Sequence, residues 1–186
     1  GTGAAPVIAA MAKKKGILTV GVVTIPFKSE GQESMSKAID GINELEKNVD
    51  SLLIINNEKL LEVYGELLLQ KMFPKADEVL ATAVRGITEI IKKRGYMNVD
   101  FKDVRTMMKN SGYALMGCGT GTGKNRIEDA VKSALESPLL NDFDLNTAQK
   151  VLINVTTGAN KDGLTMSQYG EVSEMIKKHT GNANNF

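Results

Sequence analysis

Residues 16–27 read GILTVGVVTIPF, a run that is apolar on both faces and rich in β-branched side chains. A strand covered by helices on both sides of a parallel sheet shows this pattern, whereas a strand with one solvated face alternates apolar and polar residues. Residues 49–57, VDSLLIINN, repeat the pattern. The two runs predict two strands of a buried parallel sheet.

Helical patterns alternate with these strands. Residues 3–15 place Pro6 in a first turn and three lysines in a last turn, which favours a helix that stops at Gly16. Residues 33–48 carry an apolar stripe at helical spacing. Helix, strand, helix and strand in such short steps indicate right-handed βαβ connections and an open α/β sheet.

The longest helical pattern runs from residue 76 to residue 94 and begins with the acids Asp77 and Glu78. Its apolar residues cover a broad arc, which predicts a helix packed between two layers. The chain is therefore divided into a first subdomain (1–75), a connecting helix (76–95) and a second subdomain (96–186). In the second subdomain the patterns predict helices at 101–110, 125–136 and 166–178 and strands at 112–118 and 150–157.

Bulk composition excludes several functional classes. The chain has 186 residues, a net charge of +1 and 5% aromatic residues, so it carries no basic footprint for nucleic acid. Cys118 and His179 are the only residues of their types, which argues against a zinc site and an internal disulfide. The longest apolar run has about half the length of a membrane span, and no signal-peptide pattern opens the chain. We expect a soluble protein of a reducing intracellular compartment.

A glycine-rich run at 115–126, LMGCGTGTGKNR, is a candidate phosphate loop. A P-loop needs Gly, four residues, Gly-Lys and then Ser or Thr, because backbone amides, an ammonium group and a hydroxyl bind phosphate and magnesium. Cys118 occupies the first glycine position and Asn125 the hydroxyl position. Two of the four required positions fail, so the match is poor.

Two other constellations are suited to phosphate chemistry. Gly1, Thr2 and Gly3 precede a predicted helix N-terminus, where backbone N–H groups bind anions, although an ordinary helix start has the same spacing. Asp100 and Asp103 stand at the start of another predicted helix. They can cap that helix in the manner of a capping box. Alternatively, the two carboxylates can orient a water molecule or a magnesium ion.

Six stretches carry a family resemblance: GTGAAP at the start, GILTVGVVTIPF followed by Glu30-Gly31, FPKADEVLATAVRGI, NVDFKDVRTMM, SPLL and VLINVTTG. In this order they resemble the FtsZ family, the bacterial relatives of tubulin that build the cell-division ring. The resemblance implies a tubulin/FtsZ-like α/β fold with part of a Rossmann-like parallel-sheet GTPase subdomain, a long central helix and part of an α+β subdomain. It also places the run at 115–126 at a strand-to-helix turn, away from the nucleotide.

The resemblance assigns the GTP or GDP contacts to Gly1, Thr2, Gly3, Glu30, Phe73 and Asp77. The glycines and Thr2 border the phosphates, Glu30 accepts from the ribose hydroxyls, and Phe73 lies against the base. Asp77 accepts from guanine N1–H and the 2-amino group, a donor pair that adenine lacks. From residue pattern alone, Asp77 is an acid at a helix N-terminus. Ser34 stands where many members carry a nucleotide-binding Arg.

The resemblance further implies a hydrolytic site shared between subunits. Asp100 and Asp103, with Asn98 shaping their loop, would position the attacking water at the GTP of the next subunit, and Mg²⁺, held mainly by the nucleotide, would neutralise phosphate charge. The implied partners are further copies in a head-to-tail filament, together with membrane tethers and regulators that bind a C-terminal tail. The implied location is cytoplasmic, at the mid-cell division site beneath the inner membrane, without direct membrane insertion.

The ends of the chain suggest an internal fragment, because the family's earlier nucleotide loops would precede Gly1 and further strands would follow HTGNANNF. The fragment alone is then expected to be inactive and self-associated. One alternative is a non-catalytic assembly module that binds no nucleotide. Another is a Rossmann-type nucleotide enzyme, which the absence of a G-x-G-x-x-G turn disfavours.

Overall fold

A computed structural model describes residues 3–66, 68–92, 101–137, 140, 144–158 and 163–180. These residues form two compact units. The first, here called the sheet unit, comprises residues 3–92 and 101–116, and the second unit comprises the described residues from 117 onward. By its contacts the sheet unit includes residues 101–116, which the sequence-based division assigns to the second subdomain.

A parallel three-stranded sheet forms the centre of the sheet unit. Its strands are β1 (Val20–Ile25), β2 (Ser51–Asn56) and β3 (Gly112–Ala114), in the order β1-β2-β3. Val20 pairs with Ser51, and Ser51 pairs with Gly112, so all three strands start at the same edge. The two predicted apolar strands and the α/β class are thereby confirmed.

Seven α-helices occur in the described residues. They are α1 (Ala4–Lys14), α2 (Gln32–Glu46), α3 (Asn57–Tyr64), α4 (Leu69–Lys92), α5 (Phe101–Met108), α6 (Arg126–Leu135) and α7 (Met166–His179). Each predicted helix is present. The start of the long helix moves from residue 76 to Leu69, and the ends of the other predicted helices shift by at most two residues. α3 is an additional helix that the sequence patterns did not predict.

Two apolar clusters cover the sheet. The first packs α1 and α2 on the sheet and consists of Ala9, Ile42, Leu45, Val49 and Leu52. The second packs α3 and α4 beside the loop after β1 and consists of Phe27, Leu60, Met72 and Ala76. Leu52 and Ile55, on β2, are almost completely buried, as the double-sided apolar pattern of this strand predicts.

The start of the long helix differs from the prediction. α4 begins at Leu69 and contains Pro74, so Asp77 lies in the helix interior and its interpretation as an N-terminal acid is wrong. The prediction began the helix after Pro74, because proline removes a helical hydrogen bond. Met72 is buried within the Phe27 cluster, and this apolar packing offsets the missing bond.

The strand predicted at 150–157 is also wrong. Lys150 forms an isolated β-bridge. Residues 151–158, which follow it, form no β-ladder with other described residues. A strand depends on a neighbour that completes its backbone hydrogen bonds, and apolar alternation does not supply that neighbour. The strand predicted at 112–118 likewise ends at Ala114.

The glycine-rich run lies against a helix of the second unit. A Cβ atom at Gly117, Gly119 or Gly121 would collide with backbone atoms of α6. Only Gly123 of the run has a positive φ, at 74°. Alternate glycines thus let an extended segment approach the helix backbone, whereas the sequence-based interpretation assigned them to tight turn geometry.

Candidate functional site

The loop that follows β1 is fixed by two carboxylates. Glu30 Oε1 accepts a hydrogen bond from Phe27 N at 2.9 Å, and Glu58 Oε2 accepts one from Lys28 N at 2.9 Å. Glu58 is itself held at the start of α3, where its N–H donates to Asn56 Oδ1 at 3.0 Å. The exposed Glu30 is therefore fixed at the carboxyl edge of the sheet, where ligands bind in open α/β folds.

Two aromatic rings meet beside this loop. Phe27 is buried, and its ring lies 5.6 Å from that of Phe73 in an edge-to-face arrangement with an interplanar angle of 86°. Phe73 is 51% exposed, so one part of its ring remains open to a stacking partner. Asp77, also exposed, follows one helical turn later on the same side of α4. The structure thus gathers Glu30, Phe73 and Asp77 around Phe27.

Lys75, between Phe73 and Asp77, is engaged locally. Its ammonium group forms an ion pair with Glu78 at 2.8 Å and lies 4.8 Å from the centre of the Tyr64 ring. The hydrogen bond that Lys75 donates to Glu78 raises the pKa of Lys75 above its ordinary value. This cation therefore stabilises the contact between α3 and α4.

The candidate phosphate end lies at the start of α1. Gly3 is the N-cap of this helix and is exposed, and no described side chain caps it. The N–H groups of the first turn are therefore accessible to an anion, although Pro6 contributes no donor. Gly1 and Thr2 lie outside the described residues.

A depression beside Glu30 is lined by a basic side chain, Lys28, that the sequence patterns did not indicate. It has a volume of about 520 Å³ and is lined by Lys28, Gly31, Gln32, Met35, Ser36 and Ile39. Ser34, in the first turn of α2, is not among the lining residues. A lysine two residues before a candidate ribose-binding acid was the available signal, because both belong to the short 3₁₀ turn Lys28–Glu30.

Asp103, the described member of the candidate water-positioning residues, belongs to the other edge of the sheet. Asp103 is exposed in the first turn of α5, and Arg105 Nη2 donates to Gly16 O at 2.8 Å, just before β1 begins. Asn98 and Asp100 lie outside the described residues, so the capping box that Asp100 would form is not tested. Since β1 has six residues and spans about 20 Å, Asp103 and Glu30 lie far apart within the unit.

Neither edge has a protein cage for a metal ion within the described residues, where no cluster of three or more His, Cys, Asp or Glu side chains occurs. Among the same residues, no helix has the length and apolarity needed to cross a membrane.

Comparison with known families identifies both parts of the chain. The family model described as Tubulin/FtsZ family, GTPase domain, matches residues 1–65, and the one described as FtsZ family, C-terminal domain, matches residues 112–185. The chain belongs to the FtsZ family. The first match lies within the sheet unit, and the second covers most of the described residues of the second unit.

Individual relatives agree with this assignment. The cell division protein FtsZ of Pseudomonas aeruginosa is 49% identical over 179 residues, which cover 96% of this chain and 45% of the relative. The solved structure described as an empty FtsZ dimer from M. jannaschii has a TM-score of 0.90 at 42% identity, covering 100% of this chain and 53% of that one. The chain thus spans about half the length of these relatives.

A more distant structure shows the same fold. The GDP-bound CetZ1 monomer from Haloferax volcanii has a TM-score of 0.72 at 20% identity, covering 97% of this chain. The tubulin/FtsZ-like α/β fold predicted from the sequence is confirmed.

Proposed function

We propose that this chain is the segment of an FtsZ-type protein that binds GTP, hydrolyses it and assembles head to tail into division-ring filaments. The observation that carries the proposal is the separation of two candidate groups on one sheet. Glu30, Phe73 and Asp77 gather at the carboxyl edge, whereas Asp103 belongs to a helix bound at the amino edge. A carboxylate at the amino edge can reach a nucleotide only in a neighbouring subunit.

At the carboxyl edge each residue has a distinct role toward GTP. The family resemblance assigns Gly1, Thr2 and Gly3 to the phosphates, and the uncapped N-terminus of α1 at Gly3 supports this role because such an end stabilises anions. Glu30 accepts from the ribose hydroxyls with the carboxylate that already holds Phe27 N. This local bond limits the rotation of the acid before the nucleotide arrives.

The base is recognised by α4. The exposed face of Phe73 stacks on the purine while Phe27 supports its ring from the buried side. One turn further, the Asp77 carboxylate accepts from both guanine donors, and adenine offers no such pair. Two contacts on one rigid helix define both the plane and the edge of the base.

At the amino edge the chain supplies the groups that act on the next subunit. Asp103 and Asp100, with Asn98 shaping their loop, orient the water that attacks the γ-phosphate. The charge on the transferred phosphoryl group is stabilised mainly by positioning and electrostatics. Mg²⁺ would neutralise phosphate charge when bound with the nucleotide. Hydrolysis is then coupled to filament formation, because only a contact between subunits completes the site. In the cell this assembly takes place in the cytoplasm at mid-cell, beneath the inner membrane.

Substitution of Asp103 tests the proposal in the full-length protein. Asp103→Asn and Asp103→Ala should each lower GTP turnover per assembled subunit by about 10². Nucleotide affinity should stay within about twofold, because the carboxylate acts on the neighbour's GTP. Asp40→Ala, which removes an exposed acid from α2, is the control and should leave turnover unchanged. Wild-type turnover in Asp103→Ala filaments would refute a catalytic role and leave Asp103 as a helix-terminal acid.

A further inference from the structure

One long-range hydrogen bond joins α5 to the end of α1. Arg105 Nη2 donates to Gly16 O at 2.8 Å across 89 residues of sequence. Arg105 is two residues from Asp103 and lies in the last turn of the eight-residue α5, so the bond ties the helix that carries Asp103 to the end of α1. A guanidinium group also suits this place electrostatically, because the C-terminal end of α1 carries partial negative charge.

The acceptor in this bond is rigid. Gly16 has φ +71°, its N–H donates to Lys13 O at 2.9 Å, and Ile17 N donates to Ala12 O at 3.2 Å. These two bonds form a Schellman motif, which satisfies the last carbonyls of α1 and leaves the Gly16 carbonyl free to accept. The left-handed conformation is one that glycine adopts without strain. Arg105 therefore binds a fixed point of the sheet unit.

Two further attachments of α5 lie on its buried face and beyond its C-terminal end. Val104 is almost fully buried against the sheet unit. After the helix, Ser111 N donates to Asp50 O at 2.9 Å and Gly112 N donates to the same oxygen at 3.2 Å. These contacts fix the buried face and the C-terminal end of α5, and the bond from Arg105 adds a long-range side-chain attachment to them. Arg105 supplies the polar contact closest to Asp103 among these attachments.

We propose that Arg105 is a positioning residue, which holds α5 so that the Asp103 carboxylate projects from the amino edge at the correct place for the next subunit. The inference rests on the proposed function of Asp103. Arg105 itself does not touch the nucleotide of its own subunit, and its side chain is occupied by the bond to Gly16. Its effect on hydrolysis passes through the orientation of Asp103, and errors of about 1 Å in a reacting group lower rates strongly.

A double-mutant cycle in the full-length protein tests this inference. Arg105→Ala should lower turnover per assembled subunit at saturating GTP by roughly tenfold, with nucleotide affinity and KM within about twofold. Sedimentation measures the assembled fraction in parallel. Arg105→Lys keeps a donor for the Gly16 carbonyl and should recover at least half of the turnover. Lys109→Ala removes a cation just after α5 and should have no effect, because Lys109 lies beyond the last helical residue, Met108.

The double variant separates positioning from general stability. If Arg105 acts through Asp103, Asp103→Ala with Arg105→Ala should turn over GTP no more slowly than Asp103→Ala alone. If the double variant shows the product of the two single-variant losses in turnover, the positioning role is overturned. Wild-type turnover per assembled subunit in Arg105→Ala would overturn it as well. If Asp103→Ala alone retains wild-type turnover, the proposed catalytic role of Asp103 fails and the positioning role fails with it. A slow Asp103→Ala beside a fast Arg105→Ala would instead refute only the inference about Arg105.

Discussion

The two edges of the sheet in the first unit differ in how their polar groups are used. At the amino edge, Asp50 is 4% exposed, its Oδ2 accepts from Thr19 N at 3.0 Å, and its carbonyl accepts from Ser111 and Gly112. Lys13 Nζ adds a bond to Val49 O at 3.0 Å. At the carboxyl edge, the ring of Phe73 and the carboxylates of Glu30 and Asp77 are exposed.

The two edges thus differ in burial: the polar groups named at the amino edge are hydrogen-bonded within the protein, and the groups named at the carboxyl edge are exposed. The hydrogen bonds of Asp50, Lys13 and Val49 at the amino edge join the strands to the segments that precede them. The exposed groups at the carboxyl edge are the ones to which the proposed function assigns the nucleotide. Substitutions of buried, hydrogen-bonded groups at the amino edge should therefore change stability, and substitutions of exposed groups at the carboxyl edge should change nucleotide binding.

The largest effect is expected at Asp50. Asp50→Ala should lower the free energy of unfolding by about 3 kcal/mol, because it removes a buried charged acceptor and leaves Thr19 N–H without its bond. Denaturant unfolding of the protein measures the loss. Asp50→Asn, which keeps an oxygen acceptor, should lose less than half as much. Equal stability of wild type and Asp50→Ala would contradict a structural role for this edge.

A smaller effect, on binding, is expected at Asp77. Asp77→Ala should weaken GTP binding by about 2 kcal/mol and narrow the preference for GTP over ATP, since the guanine donors lose their acceptor. Titration of the full-length protein with both nucleotides checks this. Glu78→Ala is the matched control, because the adjacent acid is paired with Lys75 instead. A variant at position 77 with wild-type discrimination would remove Asp77 from base recognition.

The smallest effect is expected at Lys28. Its side chain lines the depression beside Glu30, so Lys28→Ala should weaken nucleotide binding two- to fivefold, about 0.5–1 kcal/mol for an exposed cation. The loss should shrink as salt is added, because screening weakens exposed charge interactions. Lys37→Ala, which removes a lysine paired with Glu33 at 2.6 Å, serves as the comparison. Identical losses in the two variants would indicate a general charge effect and no local contact.

Much of the fold and part of the candidate site are predictable from local patterns. The apolar runs became β1 and β2, and the lysine-rich end of residues 3–15 became the end of α1. The family motifs located Glu30, Phe73 and Asp77, and the structure then gathered them at one edge. These features are encoded within a few consecutive residues, where periodicity and backbone preference act directly.

Tertiary structure decided the features that depend on partners distant in sequence. Burial of Met72 against Phe27 moved the start of α4 to Leu69, and residues 151–158 formed no strand among the described residues. The Arg105–Gly16 bond spans 89 residues, and no local pattern indicates it. The sequence by itself determined which segments favour helix or strand and which family motifs they carry. Packing and hydrogen bonding between distant segments decided where these elements end and which edge each functional side chain occupies, because such contacts exist only after the chain has folded.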